Sequence, residues 1–320
     1  MNAHDRIVQF LKEADGYVSG EEMSETLKIS RAAVWKYIDH LRKDGYGITA
    51  VPHLGYRLVS VPDKLLPHEI QSGLNTRTFG KNIVAFNTVG STMDEAFRLG
   101  MEGAPEGTLV CAETQHKGRG RLGRVWSSPR AKGIYCSLIL RPRLPPGQLA
   151  RLTLTAAVAL AEALRDAAGI EPAIKWPNDI LVGGKKLAGI LTELRAEADQ
   201  VKFVVVGMGI NVNTSASQLV DGAASLRTET GRIFNRVVVL RHILRSFESW
   251  YAVLGTRGRF DPVMKAWKAR SATLKKRVRV TGPGGMVEGL AVDLDTDGAL
   301  LVRQDSGVIV KQTAGDVVHG

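Results

Sequence analysis

Gln115-His-Lys-Gly-Arg-Gly-Arg-Leu-Gly-Arg-Val-Trp126 alternates glycine with fixed positive charge: Lys117, Arg119, Arg121 and Arg124 stand among Gly118, Gly120 and Gly123. Gly118-x-Gly120-x-x-Gly123 formally matches the fingerprint of a dinucleotide-binding βαβ unit, whose glycines open a helix beneath a pyrophosphate. Here the stretch lies between two strand candidates, 108–113 and 133–140, with no helix pattern opening from it. That excludes the βαβ reading and leaves an unusually long loop between strands, as active-site lids are built. Glycine lets the backbone approach a ligand closely, and arginine offers a fork of donors shaped for carboxylate and phosphate oxygens. The stretch therefore reads as a loop that closes on an anion. Its plainer alternatives are a solvated basic loop or an arginine–glycine tether for nucleic acid.

Charge along the chain favours the first. The net charge is +11, yet residues 1–62 and 271–320 are each balanced, so the whole excess lies in 63–270. Within 114–151 there are nine Lys or Arg and no Asp or Glu. Such a region attracts nucleotides, carboxylates or acidic proteins.

Outward from the loop, the spacing predicts a strand over 82–87 and a helix capped by Ser91 or Thr92 that carries Ala96, Phe97 and Leu99. An apolar helix is expected over 148–168, then a strand ending in Lys175-Trp-Pro-Asn178-Asp179. A hairpin is expected about Gly183-Gly184, with Lys186 at its start, and a further strand over 201–208 leading to Gly209-Ile-Asn211. This is an α/β pattern with a mixed sheet rather than a strict βαβ repeat. No phosphate-binding Gly-x-x-x-x-Gly-Lys loop, no Gly-x-Ser-x-Gly elbow and no catalytic-metal spacing of His, Cys or Glu occurs. The set Lys175, Asp179, Lys186 and the Arg/Gly loop lacks a protein nucleophile and suits phosphoryl- or adenylyl-type chemistry, where positioning and charge neutralisation do most of the catalysis.

Residues 1–62 read as a winged helix-turn-helix. A short amphipathic helix over 4–14 precedes a second begun by a capping box at Ser19–Glu22, and Ser30 caps a third running to about Lys43. Val34, Tyr37, Ile38 and Leu41 form its inner stripe, so Arg31, Ala32, Trp35, Lys36 and Arg42 face outward. Strands over 47–51 and 56–59 make a wing carrying Arg57. Cations gathered on one face suit DNA phosphates, with polar groups left for base edges. Residues 271–320 read as four or five short strands joined by Gly- and Asp-rich turns, including one at 282–285. The divisions are thus 1–62, 63–270 and 271–320. Two cysteines, Cys111 and Cys136, are too few for a disulfide framework. The polar start and the absence of a sufficiently long apolar run lead to the expectation of a cytoplasmic protein.

The ordered motifs Gly118-Arg-Gly-Arg-Leu-Gly-Arg-Val-Trp126, Lys175-Trp-Pro-Asn-Asp179, Lys186-Leu-Ala-Gly-Ile-Leu191 and Gly209-Ile-Asn211 resemble those of the biotin–protein ligases, in the bifunctional bacterial form that also represses biotin operons. With the flanking segments, the resemblance covers nearly the whole chain. It implies a class II synthetase-like central domain and an SH3-like C-terminal barrel. It also implies a two-step reaction: biotin and ATP, with Mg2+, give biotinyl-5′-AMP, and a lysine of a biotin carboxyl carrier protein then receives biotin. No permanently bound cofactor and no protein-held metal are implied. Carried over by motif, Ser91, Thr92, Met93, Gln115, Gly118, Arg119, Gly120, Arg121 and Lys186 are expected at biotin. Arg119, Arg121, Arg124, Trp126, Asn178, Lys186 and Asn211 are expected at the nucleotide, Trp126 as a stacking surface for adenine. Arg119, Arg121, Lys186 and Asp179 are the expected catalytic groups, Asp179 orienting or deprotonating the incoming lysine. Operator DNA would meet Arg31, Ala32, Trp35, Lys36, Arg42 and Arg57, and a homodimer would form on the adenylate. Met93 departs from the family, which usually has Asn there, and puts a side-chain contact at that position in doubt. Competing readings are a regulator that only senses an anionic ligand and a lipoate-type ligase.

Overall fold

A computed structural model describes residues 3–197, 200–255, 260–282 and 284–319. Met1 and Asn2 of the polar start, and Pro283 of the turn at 282–285, lie outside the described residues. The chain forms two compact units, Met1–Lys64 and Leu65–Gly320.

In the first unit, α1 (Ala3–Glu13), α2 (Gly20–Leu27) and α3 (Arg31–Lys43) precede a hairpin of β1 (Gly47–Val51) and β2 (Gly55–Ser60). Ser19 Oγ accepts from Glu22 N at 3.0 Å and Ser30 Oγ from Ala33 N at 3.2 Å, so each of these side chains satisfies one free donor of its helix. The capping box at Ser19 is thus half formed: no return bond from the Glu22 side chain occurs among the described residues. Val34, Ile38 and Leu41 are buried and Tyr37 is half-buried. Val18 and Tyr56 exchange backbone bonds of 2.8 Å, which adds a short bridge to the wing. Gly55 is required there: its φ is +105°, and a Cβ would come within 2.0 Å of Val18 O.

The second unit begins with α4 (Pro67–Gln71), β3 (Ile83–Phe86), α5 (Thr92–Met101), β4 (Leu109–Ala112), β5 (Gly133–Leu140) and α6 (Leu149–Ala168). There follow β6 (Ala173–Lys175), β7 (Asp179–Val182), β8 (Lys185–Glu197), β9 (Gln200–Asn211), α7 (Leu226–Thr230), α8 (Arg236–Gly255) and α9 (Asp261–Ala269). A seven-stranded mixed sheet has the order β3-β4-β5-β9-β8-β7-β6, with only β3 and β4 parallel. Every residue of β5 is buried, as a strand covered on both faces requires. Alanine-rich α6 packs with α8 in the larger core, and α5 covers the other face, where its Met93 and Ala96 cluster with Phe203 of β9. Gly169, at φ +70°, ends α6 through a bond from its N–H to Arg165 O.

The last strands are β10 (Arg277–Gly282), β11 (Gly285–Leu294), β12 (Leu300–Arg303), β13 (Ile309–Gln312) and β14 (Asp316–His319). They form an antiparallel sheet of order β13-β12-β11-β10-β14. No pairing joins β13 to β14 among the described residues, so the expected barrel is found as a five-stranded sheet open along that seam. Among the links to the rest of the unit, Trp176 Nε1 donates to Gly298 O at 3.1 Å, and Arg151 pairs with Asp297 at 2.9 Å. Among the described residues, no helix is long and apolar enough to cross a membrane.

Candidate functional site: an anion cavity under a basic lid

The loop from Lys117 to Trp126 is an ordered miniature hairpin. Its base is held by Lys117 N donating to Gly90 O at 2.7 Å. Trp126 N donates to Gly118 O at 2.9 Å and Gly120 N to Arg124 O at 2.7 Å, leaving Arg121–Gly123 as a single tight turn. Leu122 takes φ +54° at the tip and is exposed. At Gly118 a side chain has no room, because a Cβ would lie 2.5 Å from Trp126 O.

Beneath this lid is a cavity of about 370 Å³, within the range of small-molecule sites. Except for Gly118, every residue expected from the sequence at biotin or the nucleotide lines it, as does Asp179. Lys175 does not: it sits on β6, opposite Asp179 in register.

Glycines make the floor. Gly189 and Gly209 face each other across β8 and β9, and Trp126 lies over both. A Cβ at Gly209 would come within 2.5 Å of the indole ring, and one at Gly189 within 3.1 Å. Lys186 Nζ stands 5.5 Å from the ring centroid, in cation–π range. At Gly207, a Cβ would come within 2.4 Å of Met93 Sδ. Met93 is buried, so its thioether fills that notch and its side chain is part of the wall rather than a polar contact.

At one end, Ser91 caps α5, its Oγ accepting from Met93 N at 3.3 Å. Gln115 Oε1 accepts from Thr92 N and Thr92 Oγ1 at 2.9 and 3.1 Å, while Gln115 Nε2 donates to Ser128 Oγ. Thr92 Oγ1 also shares a 2.9 Å bond with Ser137 Oγ on β5. These groups are oriented before any ligand arrives.

The cations are held by carboxylates and, at Arg121, by neutral oxygens. Arg119 pairs with Asp94 and Glu193, both at 2.9 Å. Lys186 Nζ lies 2.7 Å from Asp179 Oδ1 as an ion contact, although its angle is not that of a hydrogen bond. Arg121 donates to Asn178 Oδ1 and to Gly315 O, each at 3.1 Å, and Arg124 pairs with Asp316. Burial lowers the pKa of the Arg121 guanidinium from its ordinary value, against the pull of Asp316 and Asp179. It is a desolvated cation, still charged at any physiological pH, and a strong partner for an anion. The cysteines offer no nucleophile, since burial pushes the Cys111 thiol well up and that of Cys136 to about 12.

The family resemblance leads to the expectation of an adenylate-covering loop over 209–227, but beyond Asn211 the sequence singled out no residue of this segment after β9. It folds back so that Lys186 N donates to Gly222 O and Ala224 N to Lys186 O, both at 2.8 Å. Thr214, Gln218, Leu219, Val220 and Ala223 thereby join the cavity wall. The strand expected over 201–208 runs on to Asn211, and nothing local indicated the return to Lys186. The contribution of Gly315 and Asp316 was equally invisible, because it depends on how the small sheet docks.

In the first unit, Arg31, Ala32, Trp35, Lys36 and Arg57 are exposed as expected. Arg42 is exposed too, yet its Nε and Nη2 donate to Ile48 O at 3.1 and 2.9 Å, tying α3 to β1. Arg57 lies over the Tyr17 ring, 5.0 Å from its centroid.

Comparison with known proteins agrees with this architecture. Residues 85–211 match the biotin/lipoate A/B protein ligase family, 4–57 an HTH domain, and 273–320 the biotin protein ligase C-terminal domain. The bifunctional ligase/repressor BirA of Bacillus subtilis is 42% identical over 308 residues, covering 95% of this chain and 94% of that protein. Its namesake from Escherichia coli is 30% identical, covering 93% and 92%. The biotin protein ligase of Aquifex aeolicus, solved with biotin and ATP, superposes with a TM-score of 0.64 at 30% identity, covering 75% of this chain and 99% of that one. The chain belongs to the bifunctional ligase/repressor BirA family.

The tie between lid and small sheet is open to test. Arg124 is 67% exposed on its side chain, so its pair with Asp316 is worth about 1 kcal/mol at most. Asp316→Asn is expected to raise hydrogen exchange of the 118–126 amides by up to about fivefold, leaving the β5 and β9 amides unchanged. Unaltered exchange across 118–126 would remove this pair from the account.

Proposed function

We propose that the protein is a biotin–protein ligase that also represses biotin synthesis genes. In the first step a biotin carboxylate oxygen attacks the α-phosphorus of ATP, forming biotinyl-5′-AMP and releasing pyrophosphate. In the second, the amine of a lysine on biotin carboxyl carrier protein attacks the acyl carbon and displaces AMP. The observation that carries this reading is the convergence of Arg119, Arg121, Arg124 and Lys186 on one cavity whose floor is uncharged glycine-cleared sheet. Such a site accepts an apolar body with an anionic head.

Roles follow from position. Ser91, Thr92 and Gln115 form the polar end that receives the biotin ring, with Met93 as its floor, while Gly118 and Gly120 bring the lid backbone close. Lys186 neutralises the biotin carboxylate and then the phosphate of the adenylate. Arg119 and Arg121 hold the intermediate and exclude water, protecting a mixed anhydride from hydrolysis. Arg124, Trp126, Asn178 and Asn211 face the nucleotide. As Lys186 turns to the phosphate, Asp179 loses its 2.7 Å partner and is free to take the proton of the incoming lysine, which must react as the neutral amine. Mg2+ travels with the ATP phosphates and keeps its waters.

We assign the DNA-binding part to 1–62, the catalytic part to 63–270 with a class II synthetase-like fold, and an SH3-like barrel to 271–320. The register shift in β11 between Ala291 and Asp293, which bends that strand, supports the last. Arg31, Ala32, Trp35, Lys36, Arg42 and Arg57 face operator DNA, Arg42 with part of its guanidinium already engaged. The DNA-bound form is a homodimer carrying biotinyl-AMP, and the protein acts in the cytoplasm.

Incubation with ATP, Mg2+, biotin and a carrier domain should yield covalently biotinylated carrier; absence of any biotinyl adenylate would refute the ligase reading. Lys186→Met should slow adenylate formation by roughly 10- to 100-fold, the weight of one charge-assisted bond in a desolvated site. A rate within twofold of the parent would deny Lys186 its role. Arg31→Ala with Lys36→Ala should weaken operator binding and flatten its salt dependence by about one unit of slope for each phosphate no longer neutralised. Ligation should be untouched, and parallel loss of both activities would contradict separable parts.

A further inference from the structure

Behind the polar end of the cavity runs a chain of hydrogen bonds in which the direction of every proton is fixed. Thr92 N can only donate, so the amide atom that meets it at 2.9 Å is Gln115 Oε1. Thr92 Oγ1 lies 3.1 Å from that same oxygen, which carries no hydrogen, so the Thr92 hydroxyl donates to it. A hydroxyl has a single hydrogen. The 2.9 Å bond between Thr92 Oγ1 and Ser137 Oγ therefore runs from Ser137 to Thr92. On the other side, Gln115 Nε2 donates to Ser128 Oγ at 3.0 Å, and Ser128 Oγ donates onward to Trp126 O at 3.2 Å.

These directions determine what is left for a ligand. Thr92 Oγ1 has spent its hydrogen and one lone pair, and keeps the other lone pair. Gln115 Oε1 is filled by two donors of Thr92, while Gln115 Nε2 keeps one hydrogen. Ser91 Oγ accepts from Met93 N at 3.3 Å, and among the described residues no acceptor takes its hydrogen. All three residues line the cavity, so this end offers two donors beside one acceptor. A cyclic urea is the complement: a carbonyl oxygen that accepts twice, next to an N–H that donates. The weak point of such a pattern is the threonine, because a hydroxyl rotates to suit its surroundings.

Ser137 removes that freedom. It is fully buried on β5 and does not line the cavity. Its register partner on β9 is Gly207, where Met93 fills the notch. Among the described residues, Thr92 Oγ1 is the one hydrogen-bond partner of its hydroxyl. A buried hydroxyl is costly to leave unbonded, so the Ser137 hydrogen stays on Thr92 and the Thr92 hydrogen is kept on Gln115.

We propose that Ser137 is a positioning residue: by fixing the direction of the Thr92 hydroxyl, it makes this end of the cavity accept an N–H and so sets its specificity for a ureido ring. The proposal rests on the ligase reading, in which this end receives the ring of biotin, and deepens it. Ser137 acts through Thr92 and touches no ligand. Without it, Thr92 can turn its hydrogen into the cavity, and the penalty that rejects a ring with an acceptor at that point is lost.

The test is equilibrium titration of the full-length protein with biotin and with its two cyclic carbamate analogues, in each of which one ureido N–H is replaced by oxygen. Ser137→Ala should weaken biotin binding by roughly fivefold, the weight of one neutral hydrogen bond, and leave ATP binding unchanged. The preference for biotin over the carbamate that the parent rejects more strongly should fall by roughly tenfold, as a bond is lost to one ligand and gained by the other. In a Thr92→Val background, Ser137→Ala should cost biotin nothing further. Unchanged biotin affinity in Ser137→Ala overturns the proposal. So does weaker binding with an unchanged preference, or a further loss in the Thr92→Val background, since either would make Ser137 a packing residue of β5. Each of these outcomes leaves the ligase reading standing, whereas a parent protein that binds no biotin sinks that reading and the proposal with it.

Discussion

Four cations share one small cavity, and the protein must stop them from repelling one another before any substrate is present. It does so with its own acceptors: Asp94 and Glu193 on Arg119, Asp179 on Lys186, Asn178 and the Gly315 carbonyl on Arg121, and Asp316 on Arg124. These acceptors come from α5, the β6–β7 turn, β7, β8 and the start of β14, so the charge problem of the lid is solved only when the sheet, helix and small C-terminal sheet are all in place. An anionic ligand entering the cavity would compete with these internal partners. Several of the pairs are partly exposed and individually weak, which lets a phosphate replace them at modest cost.

The glycines complete this arrangement from below. With Gly189 and Gly209 opposite each other, the sheet offers Trp126 a surface that no other residue pair would leave open, and Gly207 does the same for Met93. The lid can therefore lie flat on the sheet, close enough for its arginines to reach the same space as Lys186. Catalytic charge and backbone clearance are one constraint: adding a methyl group to the floor would lift the lid.

Much of this was legible in the sequence, for identifiable reasons. Strand β5 and helix α6 were found because long apolar runs with clear periodicity leave little choice. The β7–β8 hairpin was marked by Gly183-Gly184, both of which take positive φ. The lid residues were found because unpaired positive charge among glycines has few structural uses. Helix α8 went unread, although Val237, Leu240, Leu244 and Phe247 carry its buried face; its signal overlaps with basic residues that bond the backbone around α4. Strand β14 was too short to stand out. The fold-back of 213–225 onto Lys186 and the docking of Asp316 onto Arg124 are long-range events, fixed by tertiary packing and not by any local pattern. For the same reason the sequence offered Trp126 as a stacking surface for adenine without showing that its ring rests against the sheet and that its Nε1 is buried.

The role proposed for the lid is to keep an acyl adenylate from water and from stray amines, and Arg121 is its most desolvated cation. The direct measurement is the rate at which biotinyl-5′-AMP, formed in place from biotin and ATP, escapes from the protein into solution in Arg121→Gly and in the parent. Loss of this guanidinium is expected to speed escape by roughly 10- to 100-fold, in line with one or two charge-assisted bonds, and to cause labelling of unrelated lysines. Retention equal to that of the parent, with no stray labelling, would contradict the account.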